Sequence, residues 1–217
     1  MSPRIQDAED LKKELIKQFK TLKNKLDADL VTLHLYDADR DRVYFPVGIN
    51  LWNKERFSRG VPSRKRVVGK IIRDREPIIA NDALHHPVFT GPFTYSEGIK
   101  SGAGFPMIKN NEMLGFIFVN YRQTHEFNNQ EIQTVVEWTN QASDFLFNLF
   151  NTIEGQRLKT VLRRKTDLRT KEYRLLKLTK RIREMLGDVD VLLWLVEPKQ
   201  NELSVSVSVG VDYIYTK

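Results

Sequence analysis

The chain contains no cysteine. Disulfides, thiolate metal sites, a thiol nucleophile and any cofactor tethered through sulfur are therefore excluded. Long apolar runs are missing as well. Nothing approaches the ~20 residues that a membrane-spanning helix needs, and Met1-Ser2-Pro3-Arg4-Ile5-Gln6 lacks the apolar stretch of a secretory signal. A cytoplasmic protein is expected. Net positive charge is confined to one segment: residues 157–183 hold 12 lysines and arginines against two acids, which leaves the remainder of the +7 chain mildly acidic. That distribution argues against a broad nucleic-acid-binding face on the folded body.

What is present is a regular alternation of elements. Leu11, Leu15, Ile16, Phe19, Leu22 and Leu26 fall on one face of an opening helix. Asp29–Tyr36 and Val43–Ile49 flank an acidic turn and predict an antiparallel hairpin. Ser63 is placed to cap a helix carrying Val67, Val68, Ile71 and Ile72 and ending near Arg75. Pro77-Ile78-Ile79-Ala80 reads as a short edge strand, and Asn81-Asp82 as a cap for the next turn. From His85 to Lys100, aromatic residues alternate with Pro and Gly in a segment long enough to fold over a cavity. Ser101–Ile108 and Met113–Tyr121 predict a second hairpin. Phe127-Asn128-Asn129 opens a long helix whose apolar face runs through Ile132, Val135, Trp138, Ala142, Phe145, Leu149 and Ile153. Beyond Gly155 only Val161, Leu168, Leu175 and Ile182 recur, the seven-residue spacing of a weak coiled coil. A third hairpin is predicted over Asp190–Glu197 and Leu203–Gly210. Here Leu186-Gly187-Asp188-Val189-Asp190 and Val209-Gly210-Val211 echo Leu26-Asp27-Ala28-Asp29-Leu30 and Val47-Gly48-Ile49 about 160 residues on. The expectation is a body over 1–153, a basic linking helix over 154–186, and the first hairpin of a second copy over 187–217. A lone hairpin is marginal in water, so either the chain is a piece of a longer protein, the preferred reading, or the terminal hairpin pairs with another chain.

The order of these elements, with Arg66-Val67-Val68-Gly69-Lys70-Ile71-Ile72, Glu76-Pro77-Ile78-Ile79-Ala80-Asn81-Asp82 and Gly115-Phe116-Ile117-Phe118-Val119-Asn120, resembles a GAF domain over about residues 10–150. The resemblance implies an α+β fold, a central antiparallel sheet with the N- and C-terminal helices on one face and loops and short helices roofing a ligand pocket on the other. It also implies tandem copies and a pocket used for cyclic nucleotides, bilins, haem or other small effectors. The missing cysteine removes the sulfoxide-reducing branch and a covalently held bilin. Cyclic-nucleotide relatives often carry Asn-Lys, then Phe, then Asp-Glu. Asn120 and Phe127 match, but Tyr121, Glu131 and Ile132 stand at the other positions, so their Lys–Asp contact cannot form.

Candidate pocket residues are the aromatics Phe45, Trp52, Phe57, Phe89, Phe93, Tyr95 and Phe105, with Val47, Val68 and Ile72 beside them, and Asn81, Asp82 and His85 as polar contacts. Core packing is the better reading for Phe45 and Phe105, and turn capping for Asn81 and Asp82. His85-His86 before Pro87 reads as a turn or surface pair rather than a haem or metal site. Ser101-Gly102-Ala103-Gly104 lacks the strand-to-helix turn of a nucleophile elbow or phosphate loop. Asp37, Asp39 and Asp41 lack the Gly and terminal Glu of a calcium loop. No catalytic residue, metal or cofactor is assigned. The expectation is a non-enzymatic sensor module that passes a conformational change through its terminal helices, as a homodimer, to an output domain. The alternatives are a dimerisation module with a self-filled pocket, or nucleic-acid contact through the basic linker.

Overall fold

The computed structural model describes residues 7–54, 57, 66–187, 189, 191–197 and 202–209, without the side chains of 165–174, 176, 177 and most of the last two strands. The chain divides into two compact units, 1–163 and 164–217.

In the first unit, α1 (Ala8–Leu26) is capped by Asp7, whose carboxylate accepts from the amides of Glu9 and Asp10. It ends on Asp27, a left-handed residue with φ of 50°. The acids of its first turn and the lysines of its last complement the helix dipole. Then come β1 (Leu30–Asp37), β2 (Arg42–Ile49), α2 (Val67–Asp74), β3 (Ile78–Ala80), α3 (Pro92–Ser96), β4 (Ser101–Lys109), β5 (Glu112–Tyr121) and α4 (Asn129–Phe150). The helix α5 (Ile153–Leu186) runs from this unit into the second, which holds β6 (Val191–Glu197) and β7 (Glu202–Val209). The helix over 67–74 ends on Arg75, as its sequence predicts, but its cap position is Arg66 and carries no side-chain cap. Ser63 lies outside the described residues.

Five strands pair antiparallel in the order β2-β1-β5-β4-β3, with β3 at an edge. Strand alternation sorts the sheet into two faces. Val31, Leu33 and Leu35 share one face with Ile117, Val119, Ala103 and Phe105, and these pack against Leu15, Phe19 and Leu22 of α1 and Val135, Ala142 and Leu146 of α4. Leu30, Phe116, Phe118, Ile78 and Ala80 form the other face, covered by Val68 and Ile71 of α2 and by Phe89. Both faces are therefore buried, one under the terminal helices and one under α2 and the loops.

Three details depart from the sequence pattern. In β2 a bulge interrupts the pairing between Leu33↔Val47 and Leu35↔Tyr44, next to Phe45 with φ of 48°. The extra residue places both Tyr44 and Val47 on the helix-covered face. In α4 the buried stripe is Val135, Thr139, Ala142, Leu146 and Phe150, one step round from the predicted Ile132–Ile153 face. The helix stops at Asn151, and Ile153, 72% exposed, begins α5 instead. Gly155 permits that restart, since a side chain there would collide with the Leu149 carbonyl. In α5 the residues that enter the core are Leu158 and Leu162, while Val161 of the seven-residue series is half-exposed.

The second hairpin has its own register: Val191↔Val209, Leu192↔Ser208, Leu193↔Val207, then a one-residue irregularity, then Trp194↔Val205 to Glu197↔Glu202.

Candidate functional site

The loop-covered face of the sheet holds an unusual floor. Thr32 and His34 occupy the positions of β1 between the core leucines, and Asn120 lies across from Leu30 on β5. Their relative exposures are 1%, 6% and 2%, and Thr32 Oγ1, His34 Nδ1 and Asn120 Nδ2 are all buried without a hydrogen-bond partner. Buried polar atoms are nearly always satisfied, because an orphan forfeits its hydration for nothing, at about 1–3 kcal/mol each. All three lie on one face of two adjacent strands.

Aromatic rings wall this floor. His34 meets Phe57 edge-on at 5.1 Å between centroids and Phe116 at 5.5 Å, while Phe118 lies 5.8 Å from Phe116 and 6.1 Å from Phe89. Glycines let the rings descend onto the strands. A Cβ on Gly104 would sit 2.5 Å from Phe118 and 2.7 Å from Ile71, and one on Gly102 would strike Phe89 at 2.9 Å as well as the Asn120 amide. Burial holds His34 uncharged, its pKa lowered to about 3. This closely packed layer, the chamber, holds a neutral imidazole, a hydroxyl and a carboxamide among ring faces.

The sequence-predicted pocket residues divide sharply. Phe57, Val68 and Phe89 meet at the chamber, and Phe93, 36% exposed, reaches its rim with its ring 5.8 Å from Phe57. Phe45, Val47 and Phe105 do not belong to it. All three lie on the opposite, helix-covered face, the first two through the β2 bulge and Phe105 through its pairing with Ile117. Trp52 and Tyr95 are exposed. The Trp52 ring lies under the Arg122 guanidinium at 4.3 Å, while the buried Glu97 carboxylate accepts from the amides of Trp52 and Asn53 and pairs with Arg122 at 3.3 Å. Asp82 caps its turn, accepting from the amides of Leu84 and His85 at 3.2 Å and binding the exposed His85 ring at 2.7 Å. Asn81 is also structural: its side chain accepts from Phe127 N and its carbonyl from Ser101 Oγ. Ile72 packs against the edge of the apolar cluster around the chamber and also lines a groove of about 450 Å³ at the end of α2, where Arg75 donates twice to Asn111.

Thr32, His34, Asn120, Phe116 and Phe118 were missed. The signal of Thr32 and His34 was polar residues alternating with apolar ones in a strand, which reads equally as a solvated face. Tyr121 and Glu131, standing where cyclic-nucleotide relatives carry Lys and Asp, are committed elsewhere. The Tyr121 hydroxyl donates to Leu26 O at 2.8 Å and its ring stacks on His125 at 3.8 Å, and Glu131 completes the capping box with Asn128. Among the described residues no group of acids and histidines is arranged to hold a metal ion, and no helix is long and apolar enough to cross a membrane.

A family model described as GAF domain matches residues 9–146. The chain belongs to the GAF domain family. Solved GAF-fold structures agree. The GAF domain of a phosphoenolpyruvate-protein phosphotransferase from Acinetobacter is 18% identical with a TM-score of 0.53, covering 62% of this chain and 80% of its own. A GAF domain/HD domain protein from Geobacter sulfurreducens is 12% identical with a TM-score of 0.56, covering 69% and 100%. Residues 122 to 287 of a methyl-accepting chemotaxis protein are 20% identical with a TM-score of 0.54, covering 67% and 95%. At these identities the likeness is one of fold. No curated protein matches the chain. The GAF fold accounts for the two-faced sheet with the terminal helices on one side of it.

Proposed function

We propose that this GAF domain is a non-catalytic sensor whose chamber takes a small molecule, and that the resulting change of packing leaves through the terminal helices. The observation that carries the reading is the row of three orphaned polar atoms inside an aromatic enclosure. A ligand with a ring for the Phe walls and groups that pair with Thr32, His34 and Asn120 would recover the cost of those orphans, and so bind the native state selectively. The chemotaxis protein among the structural relatives supports a signalling setting. Dimerisation through α1, α4 and α5, and an output domain reached through α5, complete the proposal.

The second unit is read as the start of another GAF domain. Added to residue numbers in the first hairpin, an offset of 160 reproduces the second: Val31↔Ile49 becomes Val191↔Val209, Asp37↔Arg42 becomes Glu197↔Glu202, and the pairing slips by one residue directly after Leu33 and Leu193. The same offset carries Leu26 and left-handed Asp27 to Leu186 and Gly187, whose φ is 88°. It also carries Leu15, Phe19 and Leu22 to Leu175, Thr179 and Ile182, of which Thr179 is wholly buried. α5 then serves as the closing helix of one domain and the opening helix of the next.

A second reading has its own support. Phe57, Phe89, Phe116 and Phe118 are each at most 8% exposed, the packing expected of a module filled by its own rings. Thermal unfolding with nucleobases, nucleosides and neutral cyclic amides as probes separates the two. A native-state ligand at a hundredfold excess over its Kd adds ~2.7 kcal/mol and several degrees to Tm. The sensor reading expects such a shift in the wild type and its loss in a Thr32→Val, Asn120→Leu double variant. A shift that survives in the double variant, or none with any probe, supports the self-filled module.

A further inference from the structure

Asp37 ends β1 with its side chain 2% exposed, on the same face as Val31, Leu33 and Leu35. A carboxylate so placed needs a cation, because an unpaired buried charge is strongly unfavourable. Two arginines converge on it. Arg163 of α5 donates from Nη2 to Asp37 Oδ1 at 2.8 Å; its Nε also lies 2.8 Å from Oδ2 but is not aimed at it, and so is buried without a hydrogen bond. Arg40, from the turn directly after Asp37, stands 4.0 Å from Oδ2 with its side chain 56% exposed.

The first of these contacts fastens the root of α5. Leu158 and Leu162 are buried in the helix-face core, Lys159 lies 3.6 Å from Glu112, and the Arg163 guanidinium sits over the Tyr44 ring at 5.9 Å. Arg163 is also the last residue of the first unit. β1 therefore presents Thr32 and His34 to the chamber and, three residues beyond His34, the carboxylate that holds the departing helix.

We propose that Asp37 is a two-way carboxylate: Arg163 holds it when the root of α5 is docked, and Arg40 takes it over when the root lifts. This rests on the sensor reading for its purpose, as the device by which the chamber regulates α5, though not for its geometry. If Arg163 were the only cation, undocking would leave the carboxylate without its partner and favour the docked helix. Arg40, already on the adjoining turn, keeps the charge compensated in both states, which brings them close enough in free energy for a change along β1 to choose between them. The docked pair is suited to release, because it has one directed hydrogen bond rather than two.

Native-state hydrogen exchange on the full chain tests this, read at amides 157–163 with amides 139–146 of α4 as the internal reference. Arg163→Lys, which keeps the charge but loses the Nη2 hydrogen bond, is expected to speed exchange at 157–163 about tenfold and leave the reference unchanged. Arg40→Ala should act in the opposite direction, slowing exchange severalfold, because the undocked state loses its compensating partner. Gly104→Ala, which presses a methyl group onto Phe118 and Ile71, should shift exchange at 157–163 from inside the chamber. Faster or unaltered exchange in Arg40→Ala, an equal rise at the reference amides in Arg163→Lys, or no response to Gly104→Ala would overturn the proposal. None of these measurements uses a ligand, so a chamber that binds nothing leaves the switch standing. A probe that raises Tm without moving amides 157–163 would remove the switch and keep the sensor.

Discussion

The two faces of one sheet are built to different standards. Under α1 and α4, the strands contribute mainly aliphatic residues, with Phe105, Met107, Tyr44 and Tyr121, and the buried hydroxyls of α4 are all satisfied within their own helix: Thr134 donates to Gln130 O, Thr139 to Val135 O and Ser143 to Thr139 O. Under α2 and the loops, the same strands contribute aromatic rings, two glycines that admit them, and three polar atoms with no partner. Apart from the Asp37–Arg163 pair at its margin, the first face is ordinary apolar packing. The second retains three buried polar groups that pair with nothing, and the proposed ligand would account for them.

The largest expected effect tests the structural side of that contrast. Phe105 is 1% exposed in the helix-face core, and Phe105→Ala should cost about 3–5 kcal/mol through lost burial and a cavity between rigid elements. Urea unfolding followed by circular dichroism measures it. A cost under ~1 kcal/mol would mean that the helix face yields as easily as a ligand chamber should, and the contrast would fail.

A smaller effect comes from the chamber through pH. The His34 pKa is lowered from its ordinary 6.5 to about 3 because burial disfavours the imidazolium. As pH falls below 6.5 the unfolded chain takes up a proton that the folded chain refuses, so stability present above 6.5 is lost progressively toward pH 3. Between pH 7 and pH 5 the loss should be about 2 kcal/mol, and His34→Phe, which keeps a ring against Phe57 and Phe116, should remove that part of the slope. Chemical denaturation of both proteins at the two pH values measures the difference. Equal slopes would show that His34 takes up its proton in the folded state, and hence that the chamber is wet.

The elements were legible in the sequence because their signals are local. The leucine spacing of α1, the Asn128 cap of α4 and the two hairpins follow from contacts within a few residues. The chamber was not legible, because the same pattern of Thr32 and His34 between leucines serves a solvated strand and a strand covered on both sides. Only the distant Val68, Ile71 and Phe89 decide which. Val47 was misplaced by one inserted residue, since a bulge reverses the facing of everything beyond it, whereas the core reading preferred for Phe45 agrees with its packing. The buried stripe of α4 was read one step off because Thr139 and Ser143, polar by type, satisfy their hydroxyls on the preceding turn and then pack as small residues. Leu158 and Leu162, four apart among arginines and lysines, carry no regular pattern to find.

The smallest effect discriminates most sharply, because its sign matters more than its size. Thr32→Val removes a hydroxyl that has no partner and leaves the shape of the side chain nearly unchanged. In an ordinary core, exchanging a hydrogen-bonded Thr for Val costs stability. Here the wild type already bears the desolvation cost of an orphan, so the substitution should stabilise by up to about 1 kcal/mol. The same change should weaken any ligand that pairs with Oγ1. A rise in Tm accompanied by a lost ligand shift would show stability held back in favour of binding. A fall in Tm would mean that the hydroxyl has a partner inside the chamber, such as an ordered water, and the orphan row would then be a hydrated packing feature. The measurement thus decides whether the second face is a vacancy kept for a guest or a core with water in it.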